Sequence, residues 1–253
     1  MQYQGLNLIK VEGSKFEVGY GYSKFVKLKV NNKSYIPILS ALINTWGIKN
    51  REDRIEKNIL GKIEEKKNYL DFSIKCADIE IQNFIAGYPS IRLGESIWGP
   101  TNGFELGQVK KYTGMNISTK WEFQVKGLAN FTYDIWLTKN KKGELTKNDI
   151  EVMIWLDYNF EPPWKDIGET NDFKIKYVKK DSNWNNGGHV FAFFSKKSSK
   201  KSFDLIQVIN QCKKIIKNIE SYYIRSIDLG IEFSKKTQVE VKLKELNFDF
   251  KTR

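Results

Sequence analysis

Three stretches of this chain alternate apolar residues with carboxylates and aromatics at a period of two. Successive side chains of a β-strand point to opposite faces, so each stretch separates into two sets. In EVMIWLDY at 151–158, Val152, Ile154, Leu156 and Tyr158 share one face, and Glu151, Met153, Trp155 and Asp157 share the other. In RSIDLGIEF at 225–233, Ile227, Leu229, Ile231 and Phe233 oppose Ser226, Asp228, Gly230 and Glu232. In FTYDIWL at 131–137, Tyr133, Ile135 and Leu137 oppose Thr132, Asp134 and Trp136. The first set of each reads as core. A face that carries Glu, Met and Trp together is neither core nor an ordinary solvated surface, and it reads as the floor of a groove. Gly230 on that floor leaves room for something to approach the backbone.

Carboxylates and aromatic rings on one sheet face fit a carbohydrate cleft. Glycoside hydrolysis needs one carboxyl to protonate the leaving oxygen and another to attack the anomeric carbon or activate water. Flat rings supply apolar platforms for sugar faces. A non-catalytic carbohydrate-binding module or lectin on the same sandwich would use the rings without needing the carboxylates as a set.

The rest of the chain is also strand-rich. Short alternating segments recur at 16–18, 25–30, 69–74, 78–84, 121–125, 173–177, 189–194 and 240–248, punctuated by Gly, Asn, Asp and Lys clusters. One helix is predicted over 203–220, with Leu205, Val208, Ile209, Cys212, Ile215, Ile216 and Ile219 on one stripe and Ser202 as its N-cap. The charged segment 51–67 repeats Ile55, Ile59, Leu60 and Ile63 at helical spacing, weakened by Gly61, and reads as a surface helix or a long loop. Many strands and one late helix predict an all-β sandwich. With 253 residues, no internal repeat and no linker, residues 1–253 read as one domain.

Several classes are excluded or disfavoured. Two cysteines, Cys76 and Cys212, cannot build a multi-disulfide framework or a four-cysteine zinc site. Cys212 falls on the apolar helix stripe and reads as a buried thiol. A single histidine, His189, excludes three-histidine zinc sites, and it reads as a turn residue after Gly187 and Gly188 rather than a substrate contact. No metal or cofactor is expected. The longest apolar run, 35–43, contains Pro37 and is too short to span a membrane. Residues 1–18 lack a charged-then-apolar signal pattern, so an exported chain would have lost its signal or would use another route. The formal charge of +12 invites a nucleic-acid reading, but the lysines are scattered and no nucleic-acid-binding motif accompanies them. A lysine-rich solvated surface is the simpler account. The abundance of Lys, Ile and Asn fits an AT-rich coding sequence, and the lysine content also fits a thermophilic source.

Several segments together resemble glycoside hydrolase family 12, the β-jelly-roll endoglucanases and xyloglucanases. EVMIWLDY at 151–158 resembles the family's nucleophile strand, and LGIEF at 229–233 resembles its acid/base strand. TYDIWL at 132–137 resembles the strand whose Asp hydrogen-bonds the nucleophile. NTWG at 44–47 resembles the segment that supplies a sugar-stacking Trp, and GYPSIRLGESIWG at 87–99 resembles the Y-P-S-I strand. The helix before the acid/base strand is in the family's place. Residues 1–35 and 50–68 have no counterpart in compact members, and the N-terminal disulfide of some members is not reproduced. Asp228 adds a carboxylate beside the acid/base.

The resemblance implies two curved antiparallel sheets with a concave cleft and a retaining double displacement. Glu151 would be the nucleophile, Glu232 the acid/base and Asp134 the residue that orients Glu151. Trp46 would be the sugar platform, with Asn44, Met153, Trp155, Trp98 and Trp136 as further cleft residues. A loop at 161–168 would cover one side of the cleft, with Pro162 or Pro163 a candidate cis proline. The substrate would be the internal β-1,4-glucosidic bonds of cellulose or a related β-glucan. The protein would be a secreted monomer with neither a nucleic-acid nor a membrane partner.

Overall fold

Alternation of apolar and polar residues resolves into two stacked sheets. The computed structural model describes residues 7–95, 104–180 and 188–253. In chain order the strands are β1 (Lys10–Gly13), β2 (Glu17–Gly21), β3 (Val26–Val30), β4 (Lys33–Tyr35), β5 (Leu39–Ile43), β6 (Ile59–Glu65), β7 (Leu70–Cys76), β8 (Ser90–Gly94), β9 (Gly107–Gln108), β10 (Tyr112–Lys126), β11 (Ala129–Thr138), β12 (Ile150–Tyr158), β13 (Lys165–Glu169), β14 (Phe173–Lys179), β15 (His189–Ser195), β16 (Lys200–Asp204), β17 (Tyr223–Phe233) and β18 (Thr237–Thr252). One α-helix, α1 (Leu205–Gln211), follows β16.

The first sheet has eight strands and runs β1-β6-β7-β18-β10-β16, with β3 and β4 attached through β18. The second has ten and runs β13-β14-β15-β12-β11-β17-β8-β5-β2, with β9 on β17. Most neighbours are antiparallel; β12 with β15 and β3 with β18 are parallel. The inner faces meet as the alternation requires. Tyr133, Ile135, Val152, Ile154, Ile227, Leu229 and Ile231 of the second sheet face Phe72, Ile74, Ile117, Trp121, Val239 and Val241 of the first, all buried in one cluster. That cluster draws on residues from Ile9 to Phe250. Both cysteines are free and buried.

The opposite face of the ten-stranded sheet is the informative one. Arg92, Met153, Ser226, Asp228 and Glu151 lie on it and are nevertheless buried. Polar residues on the outer face of a flat sheet would be wet, so this sheet curls around its own outer face and makes a cleft there.

The structure corrects several sequence expectations. The helix is shorter than 203–220, because Ser202 and Phe203 pair with Ser118 and Ile117 of β10 and are committed to β16. Its cap is Asp204, not Ser202: Asp204 Oδ1 accepts from Ile206 N at 2.9 Å and from Met115 N at 3.0 Å. After Gln211 the chain tightens into 3₁₀ turns, and Asn218 takes a left-handed conformation at φ 59. Segment 51–67 is not a helix. It is a short 3₁₀ turn followed by β6, where Ile59, Gly61 and Ile63 are buried at period two. Residues 78–84 form no strand and meet the 47–49 segment through one isolated bridge, Ile48 to Ile81. No cis peptide occurs among the described residues. Finally, a bulge places Leu156 opposite no partner, since Phe131 pairs with Asp157 and Thr132 with Trp155. The phase of β12 therefore flips. Asp157 accepts from Trp121 Nε1 at 3.3 Å on the core side, and Tyr158 joins Trp155 on the cleft side, ring centroids 5.8 Å apart.

Phe131 ties the two sheets together through edge contacts with Phe72 and Trp121, at 6.2 and 6.0 Å between centroids. Phe131→Ala should lower unfolding free energy by about 3–5 kcal/mol, measured by urea denaturation. A loss below about 1 kcal/mol would show that this contact does not hold the sandwich together.

Candidate active site

The register of β11 sets the site. Its outer residues Asn130, Thr132, Asp134 and Trp136 lie between β17 and β12. Trp136 is paired with Glu151 of β12, and Asn130 with Glu232 of β17. The two glutamates flank the cleft floor that β11 forms, Glu151 from β12 and Glu232 from β17. Asp134 lies in that floor, paired with Met153 on one side and Asp228 on the other. Both glutamate charges reach it, and they also reach each other.

Asp134 is held in place on one side only. Its Oδ2 accepts from Trp136 Nε1 at 3.1 Å, while its buried Oδ1 has no hydrogen-bond partner. Burial, then the charges of Glu151, Asp228 and Glu232, push its pKa well above the ordinary carboxylate range. Its acid form is favoured relative to an ordinary carboxyl.

Glu232 is gripped by Asn130. Asn130 Nδ2 donates to Glu232 Oε2 at 2.7 Å, and the Glu232 backbone N donates to Asn130 Oδ1 at 3.2 Å. Desolvation raises the Glu232 pKa to about 7; the Asn130 hydrogen bond opposes that rise, the Glu151 charge adds to it and Lys180 opposes it. A carboxyl that titrates near neutrality can both donate and accept a proton.

Glu151 is 8 % exposed, and Lys180 Nζ lies 2.7 Å from its Oε2. Asp228 is neutralised in a second buried pair. Arg92 Nε donates to both its oxygens at 2.8 and 2.9 Å, and Nη2 donates to Oδ2 at 2.6 Å. The Tyr88 hydroxyl donates to the backbone oxygens of Thr132 and Asp228, under the same floor.

The remaining cleft candidates fall into different places. Trp46 is 37 % exposed at the end of the segment after β5. Its segment is anchored backbone to backbone. Gly47 N donates to Ala86 O at 3.0 Å and Tyr88 N to Asn44 O at 2.8 Å, and Ala86 N reaches Phe233 O at 2.7 Å, next to Glu232. A Cβ on Gly47 would meet Ile85 O at 1.9 Å. Asn44 is half-buried in that anchor. Trp136 is buried and aims Asp134. Trp155 is only 2 % exposed, packed among Tyr158, Phe160 and Phe194, with Trp164 over the same cluster. The 161–168 segment therefore covers Trp155 and Met153 rather than exposing them. Trp98 lies outside the described residues. Gly230 gives room to the chain itself, because a Cβ there would meet Pro89 O at 2.3 Å. His189 opens β15 and stacks on Tyr177, whose hydroxyl is 2.9 Å from Nδ1. It takes no part in the cleft. Among the described residues, no three His, Cys, Asp or Glu side chains gather as a metal site.

Four contributors escaped the sequence reading. Asn130 continues the outer face of β11 by one more alternation and was within reach of the pattern. Tyr88 and Arg92 lie in the 87–99 segment that the sequence marks, but their roles depend on Asp228 and β11, and Lys180 has no local pattern to announce it.

The chain matches the family model described as glycosyl hydrolase family 12 over residues 99–250. No curated protein is matched by sequence. Solved structures share the fold. The native family 12 xyloglucanase from Bacillus licheniformis superposes with a TM-score of 0.70 at 17% identity, covering 92% of this chain and 100% of that one. Endoglucanase cel12A from Rhodothermus marinus gives 0.70 at 18% identity, covering 97% and 100%. The catalytic domain of Humicola grisea Cel12A, in complex with a soaked thio cellotetraose, gives 0.61 at 16% identity, covering 84% and 92%. The matched residues contain Asp134, Glu151 and Glu232 and span more than half of the sequence, so this chain belongs to glycosyl hydrolase family 12.

Proposed function

We propose that the protein is a retaining endo-β-1,4-glucanase whose nucleophile is Glu151 and whose acid/base is Glu232. The observation that carries this reading is the pair Glu151 and Glu232, whose charges act on each other across a floor that holds Asp134 toward its acid form. One glutamate is matched by a cation and the other titrates at about 7. Glu151 attacks the anomeric carbon while Glu232 protonates the departing oxygen. Glu232, now ionised, takes a proton from water, and that water displaces Glu151 from the sugar. Asp134 orients Glu151 through the interaction of their carboxyls, and its Oδ1 has no other partner. Coupling between the two makes their shared proton a property of the pair.

Trp46 is the exposed platform for a glucosyl ring, and Asn44 lies at its foot. The buried tryptophans shape the wall and the floor. The cleft takes an extended β-glucan, a reading supported by the xyloglucanase and the endoglucanase among the structural neighbours. Residues 1–253 act as one catalytic unit, a reading supported by a core cluster that draws on residues from Ile9 to Phe250. The protein works as an extracellular monomer; among the described residues, no helix is long and apolar enough to cross a membrane. Neither nucleic acid nor membrane is a partner in this reading.

Reducing-sugar release from carboxymethyl cellulose, barley β-glucan and xyloglucan is the direct test. Glu151→Ala and Glu232→Ala should each lower kcat by a factor on the order of 10³ or more, the scale of lost covalent and acid–base catalysis. Binding of these glucans without release by the native chain would replace the hydrolase reading with a binding module. Initial products observed by NMR should carry the β anomer, and α product at the first turnover would exclude retention.

The pH profile follows from Glu232. It must be protonated for the first step, so kcat/KM should fall as pH rises through about 7. Asn130→Ala removes a hydrogen bond that favours the ionised form, and should move that alkaline limb upward while lowering the maximum. An unchanged limb would show that Asn130 does not tune Glu232. Trp46→Ala should raise KM by roughly 3- to 10-fold with little change in kcat, the range of one lost stacking contact. An unaltered KM would take Trp46 out of the substrate path.

A further inference from the structure

Lys180 reaches Glu151 from two strands away. It follows β14 directly, and β15 stands between β14 and β12. Its place is fixed by the neck of that hairpin. Lys180 N donates to Gly188 O at 3.1 Å, and His189 N donates to Asp149 O at 3.1 Å. A Cβ on Gly188 would meet Lys147 O at 1.8 Å, so the neck packs backbone against backbone on the segment that leads into β12. The ammonium and the carboxylate are 2.7 Å apart, with side chains only 17% and 11% exposed.

We propose that Lys180 is a positioning residue for the glycosidase reaction, holding Glu151 as an aimed carboxylate in the free enzyme and then facing the charge that moves to Glu232. This inference rests on the assignment of Glu151 and Glu232 above.

The groups around Glu151 make such a cation necessary. Asp134 faces it from β11 and Glu232 from β17, and Asp228 adds its charge beside Asp134. Arg92 of β8 is committed to Asp228. Lys176 of β14 is committed to Glu161 and the Pro162 carbonyl. His189 of β15 is stacked on Tyr177, and burial, then Lys179 and Lys139, disfavour its cationic form. Lys180 is the charge in hydrogen-bond contact with the nucleophile. An ion pair with so little exposure is weakly screened.

The reaction moves one negative charge across the cleft. A Glu151 oxygen bonds to the anomeric carbon as the glycosidic C–O bond breaks. The bonding pair goes to the leaving oxygen, which takes the proton of Glu232. Glu151 becomes a neutral ester, and Glu232 becomes a carboxylate. The Lys180 charge interacts with Glu151, Asp134 and Glu232, so it opposes the negative charge before and after the step. The hydrogen bond it makes to Oε2 also fixes the orientation of the carboxylate.

The test is the pH profile of kcat/KM on barley β-glucan for wild type, Lys180→Met, Lys180→Gln and Lys180→Arg. Without the cation, Glu232 ionises later and the carboxyls of Asp134 and Glu151 lose the positive charge that faces them. Both limbs of the profile should move upward in Lys180→Met and Lys180→Gln. The loss should be greatest on the acid side, about tenfold for each unit of limb movement. Lys180→Arg should bring the acid limb back toward wild type. Profiles of both neutral variants that parallel wild type, lowered or not, would overturn the proposal. A merely structural lysine would give that result. The two neutral variants differ in packing, so if one fails to fold the other decides. Glu151→Ala, run alongside, separates the two readings. If it keeps wild-type activity, the nucleophile assignment fails. If it is inactive while the lysine variants show parallel profiles, only the role of Lys180 fails.

Discussion

Ionising Asp134, Glu151, Asp228 and Glu232 together would gather four negative charges on a sheet face from which water is mostly excluded. The arrangement avoids that in three different ways. Arg92 neutralises Asp228 through a bidentate contact that leaves both carboxylate oxygens occupied. Burial and three neighbouring carboxyls penalise the charge of Asp134 and push it toward its acid form. Lys180 meets Glu151 directly. Glu232 is left to titrate, pulled up by burial and held down by Asn130 and Lys180 to about 7. Removing any one of these devices redistributes protons among the rest. The chemistry of the cleft is a property of the set.

The fold supplies this set through register. One alternation puts Tyr133, Ile135, Ile154 and Leu229 into the core, and the same alternation puts Asp134, Glu151 and Glu232 on the outer face. A one-residue slip of β11 would bury Asp134 among phenylalanines and expose Ile135, so the hydrophobic core enforces the catalytic geometry. Curling of the sheet then withdraws the outer face from water, and desolvation becomes the largest influence on Asp134 and Glu232. The parallel pairing of β12 with β15 adds what antiparallel neighbours alone would not. It brings the β14–β15 neck beside the start of β12 and delivers Lys180 to Glu151.

Period-two patterning made the three central strands, their inner faces and the three outer carboxylates legible, together with the sandwich class. It failed where a tertiary contact overruled a local signal. The bulge at Leu156 exchanged the faces of Asp157 and Tyr158, and no feature of EVMIWLDY marks an extra residue. Helical spacing of Ile55, Ile59, Leu60 and Ile63 lost to strand pairing of β6 with β7, for which Gly61 was the available warning. The stripe at 203–220 was apolar throughout, yet β16 claimed its first residues and 3₁₀ turns its last. Gly230 was correctly marked as a close approach, but the approaching group is the backbone of Pro89. Arg92 and Lys180 were unreadable because a cation takes its meaning here from a carboxylate brought beside it by pairing between distant segments.

The tryptophans show the same limit from another side. Sequence places Trp136, Trp155 and Trp46 alike as groove residues, yet burial divides their work. Trp136 uses its indole N–H to aim Asp134. Trp155 disappears beneath Phe160 and Phe194 and stiffens the wall above β12. Only Trp46 keeps an open face, on a segment tied through Gly47 and Ala86 to the end of β17 that carries Glu232. In the proposed reading, a sugar stacked on Trp46 rests on the same backbone that positions Glu232. Strain introduced at Gly47 would reach both residues at once, so the proposed sugar platform and the proposed acid/base share one mechanical support.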